Sequence, residues 1–112
     1  MSLIERIRER PEVRRSVSVE EWGEDGKPAV LYALPLSVLD MAWVQRRHKE
    51  FITSMQVEGM VDLIIRKVQD EAGDKAFTLE DKPVLMRKVS LNVIAGIFGD
   101  LWGDLGEDAE KN

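Results

Sequence analysis

The chain has 112 residues, 44% hydrophobic and 33% charged, with 16 basic residues against 21 acidic, one histidine and no cysteine. Such a composition describes one soluble globular domain, able to bury roughly two thirds of its unfolded surface, and it excludes disulfides and thiolate metal sites. Residues 1–56 carry nine basic and nine acidic side chains, so the whole net charge of −5 lies in residues 57–112, with seven against twelve. An acidic chain of this kind is repelled by phosphate backbones, which argues against nucleic-acid binding.

Residues 3–9 read as a short helix with Leu3, Ile4 and Ile7 on one side, closed by Pro11, which disfavours helical geometry at Arg10. The opening MSLIERIRER is charged throughout and has no signal-peptide apolar stretch. With no apolar run of about 18 residues, no membrane span is expected, and a reducing cytoplasm is the simplest location. A β-hairpin is expected over about 16–34: Val17 and Val19 alternate with polar residues, Asp25-Gly26 suits a turn with positive φ, and Ala29 to Leu34 supplies the partner strand. A lone hairpin is marginal in water, so its apolar face must lie on helices.

Ser37 is placed to cap a helix over about 37–51, with Val38, Leu39, Ala42, Trp43 and Phe51 as its apolar side. A second helix, about 57–70, carries the clearest stripe in the chain. Val57, Met60, Val61, Ile64, Ile65 and Val68 fall at i, i+3, i+4, i+7, i+8 and i+11. A third is expected over about 79–99, with Leu85, Met86, Val89, Val93, Ile94, Ile97 and Phe98 at helical spacing. The expected architecture is α+β: a mainly helical domain over 1–99, with the hairpin packed on three to four helices. Residues 100–112, rich in Gly and acids, are expected to form a flexible acidic tail.

The stretch DEAGDKAFTLED, residues 70–81, tests for a calcium loop. An EF-hand needs ligands at loop positions 1, 3, 5 and 12 and Gly at 6. Framed on Asp70, the stretch offers Ala72 at position 3 and Lys75 at position 6, so no metal site is expected. Gly73 as a helix stop, Phe77 as a staple and Thr78 with Asp81 as a capping box account for the stretch better. Pro83 leaves two caps open: Thr78 with an irregular first turn, or Asp81. His48, in the cationic run RRHKE, reads as a solvated helix end. No paired catalytic groups or phosphate loop point to an enzyme, and no cofactor is expected. Trp102, beside Leu101 and near Leu105, either docks back on the domain or waits for a partner.

In the order and spacing of its elements the chain resembles the tail assembly chaperones of siphovirus-like phages, prophages and gene transfer agents. The resemblance is carried by MSLIERIRER, by VSVEEWG with a strand ending in LYALPLS, and by DEAGDKAFTLEDKPVLMRKVS. It implies a non-enzymatic protein that binds the tape measure protein, keeps it soluble and helps recruit tail tube subunits. It further implies action in the host cytoplasm and absence from the mature virion. A frameshifted longer form is an expectation of the same kind, since the codons of the closing Glu-Lys-Asn are A-rich. Ile97, Phe98, Leu101, Trp102 and Leu105 are the candidate protein-binding residues, for a partner or for self-association. The competing expectations are a small acidic regulator of the antitoxin or anti-repressor type, and a minor virion protein.

Overall fold

A computed structural model describes residues 2–11, 13–54 and 56–111, with side chains as far as Trp102. Its first element, α1 (Leu3–Glu9), is capped by Ser2, whose hydroxyl accepts from Glu5 N at 3.3 Å. Strands β1 (Arg15–Glu24) and β2 (Lys27–Ala33) form the expected antiparallel hairpin. Asp25 and Gly26 both take positive φ, 54° and 76°, the backbone that a two-residue hairpin turn requires. The register is regular from Arg15↔Ala33 to Val19↔Ala29, then shifts before Glu24↔Lys27. The strand opposite places Pro28, which has no N–H to donate, within that irregular stretch. Gly23 is obligatory here, because a Cβ would fall 1.9 Å from the Lys27 carbonyl oxygen.

The hairpin gains a third strand that the sequence pattern concealed. Helix α4 (Val57–Lys67) stops three residues before the expected end, and β3 (Val68–Gln69) pairs Tyr32↔Gln69 and Ala33↔Val68. Val68 is fully buried and fits either periodicity, so the helical stripe ran through it unbroken. The sheet order is β1-β2-β3.

Two expected helices are also divided. The segment expected as 37–51 is α2 (Val38–Arg47), a turn at 48–50, and α3 (Phe51–Ser54). The apolar side assigned to it is corrected too. Val38 is 88% exposed and Leu39 is also exposed, while Asp40 and Val44 are the buried residues of α2. The segment expected as 79–99 is a 3-10 turn at Leu79–Asp81, α5 (Lys82–Lys88) and α6 (Leu91–Lys111). Val89 is extended and Ser90 begins the new helix, its hydroxyl accepting from Val93 N at 3.3 Å. The question of the cap is thereby answered with both residues. The Asp81 carboxylate accepts from Thr78 N at 2.8 Å across the 3-10 turn, and Pro83 then sits harmlessly in the first turn of α5. For the expected tail, the backbone of α6 is helical to Lys111, and side chains from Gly103 onward lie outside the described residues.

The core lies between the inner face of the sheet and the helices. Val17, Val19 and Ala33 meet Val61, Leu63, Ile64 and Ile65 of α4 and Ile94, Ile97, Phe98 and Leu101 of α6. Phe51 is at its centre, edge-on to Phe98 with ring centroids 5.9 Å apart. Gly59 lets α4 approach that ring, since a Cβ there would stand 2.4 Å from Phe51 Cδ1. No helix among the described residues is long and apolar enough to cross a membrane.

Candidate protein-binding site

The residues singled out in the sequence for partner binding are brought together, but mostly inside the domain. Ile97, Phe98 and Leu101 are buried, and Trp102 is partly buried, stacked on Phe98 at 5.8 Å. Leu105 lies outside the described side chains. Spacing at i, i+1, i+4 and i+5 puts all four described residues on one side of α6, and that side faces α4 and β1. Peeling it off would expose Ile94, Ile97, Phe98 and Leu101 at roughly 2 kcal/mol each. A total of about 8 kcal/mol is comparable to the whole stability of a domain this size. The free apolar surface is therefore elsewhere.

It lies chiefly on α1, where Leu3, Ile4, Ile7 and the following Val13 are between 59% and 70% exposed. No residue of α1 is buried. The sequence placed the three apolar residues of α1 on one side correctly, yet offered no way to see that this side is unpacked. A second exposed set is Val38 and Leu39 at the start of α2, and a third is Leu79, Val84 and Met86 on and before α5.

Two buried carboxylates brace the helices beneath these surfaces. Asp62, fully buried on α4, has Lys82 Nζ 2.8 Å from Oδ1, with His48 Nε2 at 2.7 Å and Arg47 Nε at 3.2 Å from Oδ2. Lys82 also meets Glu58 at 2.8 Å. The network ties α4 to the end of α2 and the start of α5. It corrects the reading of His48 as a solvated helix end, because the ring is mostly buried and holds a carboxylate. Burial pushes the Asp62 carboxyl up, but the bonds from Lys82, His48 and Arg47 outweigh it and hold the group below its ordinary value. Lys82 is likewise raised despite burial, by Asp62 and Glu58.

Asp40 plays the same part at the other end of α2. It exchanges capping bonds with Ser37, at 2.9 and 3.1 Å, and takes Arg66 Nε and Lys67 Nζ at 2.8 Å each. Burial opposes its ionisation, yet Lys67, Arg66 and Ser37 lower it to about 2. The guanidinium groups of Arg66 and Arg47 lie over the Trp43 ring, 4.7 and 5.2 Å from its centroid. A carboxylate saturated with cations and held ionised this far below neutrality is a poor general base, so both acids serve as braces.

The acids of residues 70–81 also find local work. Asp70 accepts from Asp74 N at 3.0 Å, Gly73 turns the chain with φ of 93°, and Asp81 closes the cap on Thr78. Phe77 packs edge-on against Trp22, 5.7 Å away, joining this connector to the irregular part of β1.

No family model matches the chain, and no curated protein matches it in sequence. Among solved structures, the fold is similar to that of the bacteriophage HK97 tail assembly chaperone. The TM-score is 0.57 at 14% identity, over 88% of this chain and 89% of that one.

Proposed function

We propose that the chain is a non-enzymatic chaperone of phage tail assembly, which binds a tape measure protein, keeps it soluble and helps recruit tail tube subunits. The observation that carries this reading is the likeness of fold to the HK97 tail assembly chaperone over nearly the whole of both chains. At 14% identity the likeness concerns the fold, and the function is our inference from it.

The chemistry of the molecule is compatible. Its buried ionic groups are committed to bracing, while α1, the start of α2 and the region of α5 present apolar side chains to a partner. An acidic protein offering such surfaces can cover the apolar stripes of a long helical protein while keeping the complex in solution. In this reading it acts in the host cytoplasm and is left behind when the virion is complete. Self-association remains part of the proposal.

The test is co-expression with the tape measure protein encoded nearest to this chain. The expected result is a tape measure protein that is soluble and co-purifies with the chain, and that is insoluble without it. A tape measure protein whose solubility does not respond, or this chain in purified particles, would refute the proposal.

A further inference from the structure

The sheet order β1-β2-β3 leaves β1 at an edge, paired with β2 on one side only. Alternate residues of such a strand turn their N–H and C=O groups away from the sheet, a row of donors and acceptors suited to another extended chain. Among the described residues, no element other than β2 pairs with the backbone of residues 16–21. Proteins commonly blunt a free edge with lysine, proline or a bulge. The sequence SVSVEE, residues 16–21, holds neither lysine nor proline, and the register stays regular as far as Val19.

A groove runs along this edge, and α6 is its opposite wall. Ser18 and Glu21 line one side, Asn92, Val93, Gly96 and Asp100 the other. The four positions on α6 fall at i, i+1, i+4 and i+8, on one side of the helix. The wall from Asn92 to Asp100 rises about 12 Å, and the edge from Val17 to Glu21 extends about 13 Å. Both lengths match about four or five extended residues. Gly96 leaves the middle of the wall bare, since a Cβ there would meet nothing within 4 Å.

The charge of the groove selects its occupant. Glu21 and Asp100 line it, and no basic residue does among the described residues. Arg15, at one end, donates from Nη1 to the carbonyl oxygen of Asp100 at 3.0 Å. A second copy of the chain would bring residues 16–21 of its own edge, with two acids and no base. A basic strand from another protein is the better complement.

We propose that the chain binds an extended, basic segment of a partner protein by strand addition to the free edge of β1. Main-chain bonds to β1 supply the affinity, and alternate side chains meeting Gly96, Glu21 and Asp100 supply the selection. The inference concerns a different surface from the chaperone reading, and it holds or fails without a tape measure protein.

Amide NMR on the isotope-labelled full chain tests the proposal, with the capped peptide Lys-Val-Thr-Val-Thr-Val-Lys as probe. Saturable binding is expected at a Kd of about 10–100 µM, with shifts centred on residues 16–21 and 92–100. Exchanging both lysines of the probe for glutamates should weaken binding about tenfold or more. Two further probes, N-methylated at the odd or at the even amides, need no variant of the chain. One should bind and the other should not, because only alternate amides of an added strand face β1. Gly96→Met should fill the groove and abolish binding with thermal unfolding no lower than wild type, since the site is open. No saturation by about 1 mM, shifts centred elsewhere, equal behaviour of the two N-methylated probes, or undiminished binding to Gly96→Met would each overturn the proposal. So would a dimer of the chain alone, seen by sedimentation and dissociated by Gly96→Met, because the edge would then belong to a second copy.

Discussion

Replacing Asp62 by Asn keeps the volume of the side chain and removes the charge on which three helices converge. The carboxylate is fully buried and holds Lys82, His48 and Arg47 at 2.8, 2.7 and 3.2 Å. Removing one member of a buried ionic group costs about 3–5 kcal/mol, because the remaining charges stay desolvated without a partner. Two features place the expectation at the lower end of that range. Lys82 retains Glu58 at 2.8 Å, and the Arg47 side chain is 44% exposed and can turn to water. The amide adds a penalty of its own by turning an N–H₂ donor toward groups that are themselves donors. A loss of about 3 kcal/mol is expected, equivalent to a fall in Tm of roughly 10–15 °C for a domain of this size. Urea unfolding followed by tryptophan fluorescence measures it, with an unchanged slope showing that the native and denatured states keep their compactness. Lys82→Met should cost less, and the double variant should cost less than the two singles together by about 1 kcal/mol or more. An Asp62→Asn protein within about 0.5 kcal/mol of wild type would refute the assignment of Asp62 as a brace.

The acid side of the stability profile should follow the same carboxylates. Asp40 and Asp62 are depressed in the folded protein, so the stability they contribute is present above the unfolded carboxylate range and lost as pH falls through their folded values. For Asp40, whose folded value is about 2, the loss should run from roughly pH 4 down to pH 2; Asp40→Asn should flatten unfolding curves in that window. Gly59→Ala sets a Cβ 2.4 Å from the Phe51 ring and should cost about 1–3 kcal/mol in thermal unfolding. By contrast Gly96→Ala meets nothing within 4 Å on an exposed helix face, and should stabilise by about 0.5–1 kcal/mol through helix propensity. Ser90→Ala removes the cap of α6 and should cost about 1 kcal/mol, with Ser90→Asp restoring most of it.

Local chemistry was legible in the residues themselves. Asp25-Gly26 demands a tight turn because few other pairs accept two positive φ angles, and alternating Val17 and Val19 can bury only one face of a strand. The stripe from Val57 to Ile65 is a helix at first sight, and Ser37 was readable as the cap of the helix before it, to which the structure adds Asp40 as the reciprocal partner three residues on. Thr78 and Asp81 were readable for the same reason: a cap and its partner are neighbours in sequence. Ser90 was equally local, but the apolar periodicity of residues 85–98 runs across it and hid the break.

What the residues alone left undecided depends on groups far apart in the chain. Val68 becomes a strand because β2 offers it an edge, and nothing in its own neighbourhood distinguishes that from one more helical turn. Asp62 lies inside an apolar stripe and is tolerated there only because His48 and Lys82 arrive from 14 residues before and 20 after. Val38 and Leu39 are exposed and Asp40 buried, an inversion of the hydropathic rule, because Arg66 and Lys67 meet the carboxylate across the helix pair. The apolar residues of α6 were read as a surface for a partner, and the fold closes three of them into its own core. Those of α1 have the same chemistry and stay open. Hydrophobicity decides that a side chain will be covered, but only the packing of distant elements decides by what.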